Sequence, residues 1–320
     1  MSETKIITVV GATGSQGGGL VRAIQANPRA GFRARAIARD PKSDKAQALA
    51  ALGAEVVAGD VDDAASLRKA FEGAHGAYCV TFYWAHMSPD KERIEAANLA
   101  SAAKAASVSH VVWSTLEDTR KFMALSDPRM PTLMDKYKVP HFDVKGECDK
   151  FFADSGVPTT NLLTSFYWDN FINLGMGPKK GPDGRYAITL PMGNSRMSGI
   201  AAEDIGRCGF GIFQAGSDYA GKTVGIASDH LTGDEIARTF TEVLGVEVVY
   251  NAITPEIYRS FGFPGADDLG NMFQFYRDFA NEFNAARSVD ESRQLNPKLQ
   301  NFRQWLETNK QAVPLEATIR

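Results

Sequence analysis

Cysteine is scarce in this chain: three in 320 residues, Cys79, Cys148 and Cys208, widely spaced and with no C-x-x-C pair. That excludes a disulfide scaffold or a thiolate zinc site and fits a reducing compartment. Histidine is equally sparse, five residues without metal-ligand spacing, so no metal centre is expected. A basic excess is also missing. Lys and Arg number 35 against 38 Asp and Glu, for a net charge of −3, which disfavours direct nucleic-acid binding. No apolar run approaches the about 18–20 residues that a membrane span needs. The N-terminus has no basic segment followed by an apolar core, so no secretion signal is read. Internal repeats and low-complexity linkers are absent too. The expectation is a soluble cytoplasmic protein with an ordinary globular composition, 44% hydrophobic and 23% charged.

What is present is a rhythm. Short β-rich runs at Lys5–Val10, Phe32–Ala38, Glu55–Ala58, Ala77–Val80 and His110–Trp113 alternate with helical patterns at Gly17–Asn27, Lys45–Leu52, Ala64–Glu72 and Pro89–Ser107. Parallel neighbours need a crossover, and right-handed crossovers wind helices onto both faces of the sheet. The fold class is therefore α/β, a doubly wound parallel sheet of Rossmann type. A helix begins near Phe142, and Thr159–Leu163 reads as a sixth strand. After about residue 165 the rhythm changes. Residues 175–184 read as an exposed loop, Thr223–Ala227 and Glu247–Ala252 as strands, Gly233–Leu244 as a helix, and the last seventy residues as mostly helical. The expected division is a nucleotide-binding domain over 1–165 and a smaller α/β lobe over 166–320, with some later segments returning to the first domain.

The strongest chemical signal is Gly11-Ala12-Thr13-Gly14-Ser15-Gln16-Gly17, which follows the first strand and opens the first helix. Glycines tolerate positive φ and let backbone approach a pyrophosphate, and the helix N-terminus offers free N–H groups to it. The plainer alternative is a tight turn that needs glycine for backbone reasons alone. Gly18 and Gly19 weaken the helix by roughly 1 kcal/mol each, which suggests that it lies very close to the sheet. Cofactor choice is read where the second strand ends, at Arg39-Asp40-Pro41-Lys42. A planar guanidinium suits the 2′-phosphate of NADP(H), and Lys42 adds charge. Asp40 dissents, since it could pair with Arg39. Asp60 and Val61 follow the third strand, where such folds place the adenine, while Asp62 or Asp63 can cap the next helix. Thr81, Phe82, Tyr83 and Trp84 follow the fourth strand and present aromatic surface to the cofactor, or to the core.

For catalysis the informative stretch is His141-Phe142-Asp143-Val144-Lys145. Ordinary short-chain reductases carry Tyr-x-x-x-Lys on adjacent helical turns. Here His141 stands in the tyrosine position. Histidine can shuttle protons near neutral pH, or it can simply cap or pack. Ser114 stands where such enzymes keep a serine, and Lys145 where they contact the nicotinamide ribose. An active enzyme would then be an NADPH-dependent oxidoreductase without the usual tyrosine.

With these residues assembled, the chain resembles the NmrA-like family of atypical short-chain dehydrogenase/reductases, in the branch described as NADPH sensors. The resemblance covers nearly the whole chain. It rests on residues 11–17, Gly59-Asp60, Tyr83-Trp84, 141–147, Tyr167-Trp168-Asp169-Asn170, Gln304-Trp305-Leu306-Glu307 and, most specifically, residues 262–273. It implies NADP(H) contacts from the glycine loop, Arg39, Asp60, Thr81–Tyr83, Lys145 and Tyr167–Asn170. It implies a redox-sensing regulator responding to the NADPH/NADP ratio, with a regulatory protein partner and a homodimer as open arrangements. Two departures are visible: Phe82 replaces the branch's usual Asn, and Trp168 a commoner Phe. The competing function is an NADPH-dependent reductase of a small aromatic or quinone-like acceptor, with His141, or a water held by Lys145 or Ser114, supplying the proton.

Overall fold

The first strand, β1 (Lys5–Val9), runs straight through the glycine turn into α1 (Ser15–Gln25) in the computed structural model, which describes residues 4–315. The alternation continues as β2 (Phe32–Ala38), α2 (Asp44–Ala51), β3 (Glu55–Ala58), α3 (Ala64–Phe71), β4 (Gly76–Cys79), α4 (Pro89–Ala105), β5 (His110–Thr115), α5 (Pro140–Ser155) and β6 (Thr159–Leu163). The second half supplies β7 (Phe166–Tyr167), α6 (Asn170–Asn173), β8 (Lys179–Lys180), β9 (Tyr186–Leu190), β10 (Met197–Ile200), α7 (Ala202–Ala215), β11 (Thr223–Gly225) and β12 (Asp229–Leu231). It closes with α8 (Gly233–Leu244), β13 (Val248–Ala252), α9 (Pro255–Arg259), α10 (Ala266–Asp278), α11 (Ala280–Ala285), α12 (Val289–Leu295) and α13 (Phe302–Asn309).

Seven strands form one parallel sheet in the order β11-β6-β5-β4-β1-β2-β3. The expected doubly wound sheet is thus what the chain forms. β5 is buried along its whole length, as befits a strand covered on both faces. Leu20, Ile24, Ile205 and Phe213 of α1 and α7 pack on one face with Ile7 and Val9. Leu67, Phe71, Leu99, Val144 and Phe152 of α3, α4 and α5 pack with Trp113 on the other. Strand order reverses between β1 and β4, which opens a crevice at their carboxyl ends. A separate aromatic core, including Trp168, Phe171, Phe240, Phe302 and Trp305, holds the smaller lobe together. Its two three-stranded sheets are ordered β12-β10-β7 and β13-β9-β8.

Three expectations are refined. β11 lies beyond residue 165 yet forms the edge of the large sheet. The 175–184 segment, expected as an exposed loop, contains the short strand β8 and buries Gly177 and Pro178. Gly19 of α1 answers to a neighbouring helix rather than to the sheet: a Cβ there would lie 2.5 Å from the Glu203 carbonyl oxygen, and one on Gly206 would lie 2.2 Å from the Leu20 nitrogen. α1 and α7 therefore cross backbone to backbone.

Candidate functional site

Gly11 takes φ +63°, the left-handed region that favours glycine, as the chain leaves β1. A Cβ on Gly17 would stand 2.5 Å from the Gly11 carbonyl oxygen, so the turn folds tightly against the first turn of α1. Gly14 caps α1 with no side chain. Among the described residues, the N–H groups of Ser15, Gln16 and Gly17 have no acceptor. This is a cradle of bare donors at a positive helix end, open to solvent at Gly11, Gly14 and Ser15. Thr13 is half-buried, and Ala12 points into the sheet core.

Gln16 ties the cradle to the sheet beneath. Its Oε1 accepts the Tyr78 hydroxyl at 2.6 Å and the Ser114 hydroxyl at 2.9 Å. Its Nε2 donates to the Tyr167 hydroxyl oxygen. Four side chains from α1, β4, β5 and β7 thus form one polar knot. Burial raises the proton affinity of both phenols, so they stay neutral. Ser114 is engaged inside this knot.

β1 and β2 pair in register, Val9 opposite Ala36, which puts Arg39 beside the cradle. Arg39 is exposed and makes no ion pair or hydrogen bond among the described residues. Asp40 does not claim it. The Asp40 carboxylate instead accepts the Lys42 N–H at 2.9 Å, and Lys42 is itself exposed. At the end of β3, Asp60 accepts the Asp62 N–H at 3.0 Å, and the Val61 carbonyl accepts from Asn98 at 2.9 Å. Asp63 caps α3 through the N–H groups of Ala65 and Ser66.

Beyond β4 the chain turns through Thr81, Phe82 and Tyr83. Lys145 Nζ reaches across from α5 to the Thr81 carbonyl at 3.1 Å, Thr81 Oγ1 at 2.7 Å and Glu92 Oε1 at 2.8 Å. Thr81 Oγ1 donates to the same Glu92 oxygen at 2.5 Å. Glu92 was not singled out from the sequence. Its signal lay in the helical spacing of 92, 96, 99 and 103, which places it on the buried face of α4. His141, four residues before Lys145, directs Nδ1 to Asp268 Oδ1 at 2.6 Å, and its backbone N–H donates to Oδ2 at 3.2 Å. Asp268 comes from α10 of the smaller lobe, so this pair joins the two lobes. The Tyr83 ring packs between Trp84, His86 and His141, and burial raises its proton affinity. Phe82 is 66% exposed.

The 167–170 segment divides. Tyr167 meets Gln16, but Trp168 does not face the cradle. Its indole fills the smaller lobe's core and donates to Ser228 Oγ at 3.1 Å. A Cβ on Gly199 would stand 2.1 Å from the indole ring. Asp169 caps α7, accepting the Ala202 N–H at 2.8 Å, and Asn170 begins α6. A polar recess of about 320 Å³ lies beside Asp169, lined also by Glu203, Arg207 and Trp305, and contains none of the glycine-turn residues, His141 or Lys145.

A family model described as NmrA-like family matches residues 3–306. The Cladobotryum protein FrzB, described as an NmrA-like family domain-containing oxidoreductase, is 29% identical, with 85% of this chain and 84% of that protein covered. NmrA, a negative transcriptional regulator crystallised with NADP, superposes with a TM-score of 0.76 at 23% identity, covering 96% of this chain and 95% of that one. The Citrobacter triphenylmethane reductase complexed with NADP(H) gives 0.72 at 24%, covering 96% and 99%. At such identities the structural likeness speaks for the fold. No helix among the described residues is long and apolar enough to cross a membrane.

Proposed function

The chain belongs to the NmrA-like family, and from that premise we propose that it binds NADP(H) and acts as a redox sensor or regulator that responds to the NADPH/NADP ratio. The residues present fit the cofactor. The bare N–H groups of Ser15, Gln16 and Gly17 suit its pyrophosphate. The unpaired Arg39, with Lys42 nearby, suits a 2′-phosphate, and Asp60 and Val61 line the adenine end. Lys145 and Thr81 lie toward the nicotinamide end, beside Phe82 and Tyr83. When bound, the cofactor would supply a nicotinamide ring that carries a positive charge only in its oxidised form.

One observation carries the regulatory reading: the phenol of ordinary reductases is missing, and Ser114 and Lys145 are engaged within the chain. Ser114 donates to Gln16, Lys145 to Thr81 and Glu92, and His141 to Asp268, while the phenol of ordinary reductases is replaced by that histidine. Sensing requires unequal affinity for the two cofactor states. The Lys145 ammonium and the Glu92 carboxylate at this end of the crevice supply charges that would distinguish them. The His141–Asp268 bond would carry a shift in α5 to the lobe of residues 166–320, and from there to a protein partner or a second copy of the chain. Equilibrium titration with NADPH and with NADP, following molecular size and protease sensitivity, tests this reading. The expected result is a different response to the two forms. No change in either property removes the case for sensing.

A second reading is favoured by the exposed ring of Phe82 beside Trp84 and Tyr83. Such an aromatic margin suits a small aromatic or quinone-like acceptor. His141, or a water held by Lys145 or Ser114, would then supply the proton for reduction. NADPH oxidation against a panel of quinones and enones, repeated with Lys145→Ala, separates the two readings. Turnover lost in the variant favours the enzyme.

A further inference from the structure

Three ionisable side chains meet beside Lys145 that neither reading uses as a group. Glu92 and Glu95 lie one turn apart on the buried face of α4, and His86 precedes that helix. His86 Nε2 stands 3.4 Å from Glu92 Oε2 and 3.5 Å from Glu95 Oε1, too far for good hydrogen bonds. His86 Nε2 and Glu92 Oε2 are both buried without a partner, and Glu92 is 0% exposed. Two carboxylates and an imidazole converge on a point that none of them fills.

The tautomer of His86 decides what that point can hold. Its Nδ1 accepts the Ser88 N–H at 3.0 Å, so in the neutral ring the proton sits on Nε2, facing the glutamates. Burial lowers the proton affinity of His86, which keeps the ring neutral at pH 7. A metal ion would need Nε2 bare and would meet the Lys145 ammonium already 2.8 Å from Glu92. A proton taken up by one of the two carboxylates meets neither objection. Two carboxylates out of water resist double ionisation, and burial, together with the charge of Glu92, pushes Glu95 up to about 7. The other groups facing the cluster are Lys91 and Asp62, paired with each other at 2.9 Å at the rim, and Tyr83 and Cys148, both kept neutral by burial.

Lys145 links this cluster to the crevice. An ammonium has three N–H groups, and its three acceptors here are Thr81 O, Thr81 Oγ1 and Glu92 Oε1. A nucleotide hydroxyl can gain Lys145 only by displacing one of them. Displacing Glu92 draws the positive charge away from its carboxylate, and the proton affinity of the pair rises. We propose that His86, Glu92 and Glu95 form a proton-binding site that fills from solvent when a dinucleotide engages Lys145. The inference rests on the reading of Lys145 as a nucleotide contact.

The test is calorimetric titration of the full chain with NADPH at about pH 8, where the nucleotide's own phosphate (second pKa about 6) is fully ionised, in two buffers of unlike ionisation enthalpy. The expected result is a binding heat that differs between buffers by the uptake of most of a proton. Affinity then falls as pH rises from about 7 to 9, by at most about tenfold per unit. Glu95→Gln keeps the shape but cannot take the proton, so its binding heat should be buffer-independent. If that variant does not fold, the two-buffer comparison on the unaltered chain decides alone. Equal heats in both buffers overturn the inference and leave the dinucleotide reading standing, as does a buffer dependence that persists in Glu95→Gln. No heat in either buffer, and no displacement of a fluorescent nucleotide, overturns the dinucleotide reading and the inference with it.

Discussion

His141 Nδ1 lies 2.6 Å from Asp268 Oδ1, a bond that joins α5 to α10 across 127 residues of chain. Both residues are buried, and the carboxylate also accepts the His141 backbone N–H. Asp268→Ala leaves two buried donors without an acceptor. The expected cost is about 2–4 kcal/mol, read as a lower urea midpoint. A loss under about 0.5 kcal/mol, the ordinary range of a surface change, would show that the bond does not hold the lobes together.

The crossing of α1 and α7 gives a prediction whose sign separates two effects. Gly19→Ala should stabilise an isolated helix by about 1 kcal/mol. In the folded chain the new methyl would stand 2.5 Å from the Glu203 carbonyl oxygen, and overpacking of this kind costs about 1–3 kcal/mol. A lower melting temperature is expected, and a higher one would contradict the close approach.

Asp149 supplies the pH dependence. Its Oδ1 accepts Trp113 Nε1–H at 2.8 Å and the Thr115 hydroxyl at 2.6 Å, and burial raises its pKa to about 6. A free aspartate titrates near about 3.9, so folding favours the protonated form. The stability this provides is fully present below about pH 3.9 and is lost as pH rises through 6, at most about 3 kcal/mol. Asp149→Asn retains an oxygen for both donors and carries no charge. Unfolding midpoints of the two proteins should therefore diverge between about pH 4 and 7, with the variant the more stable at neutrality. Parallel curves would rule out this titration.

How much of this was legible in the sequence depends on how local the cause is. The glycine turn, its strand and helix, and Arg39 at the end of β2 are set by neighbours a few residues away. The alternation of elements carries the doubly wound sheet, and Pro140, suited to a first helical position, marks the start of α5. The partners of Lys145 and His141 were not legible. Glu92 and Asp268 lie 53 and 127 residues away, and nothing local announces either contact. Trp168 entered as a cofactor contact through the resemblance alone, and its packing against Phe171 and Phe302 places the indole in the core of the smaller lobe. Gly19 signalled a close approach, but to α7 and not to the sheet as expected.

In the proposed function, Arg39 carries the choice of nucleotide. Arg39→Ala should weaken NADPH binding by about 1.5–3 kcal/mol, the worth of a charge-assisted hydrogen bond, and leave NADH binding little changed. A variant that loses affinity for both nucleotides equally would place the guanidinium elsewhere than at the 2′-phosphate.

The most direct measurement is calorimetric titration of the unaltered protein with NADPH and, separately, with NADH. The account predicts uptake of both, with NADPH bound more tightly by about ten- to a hundredfold. Equal affinity for the two, or uptake of neither, contradicts it.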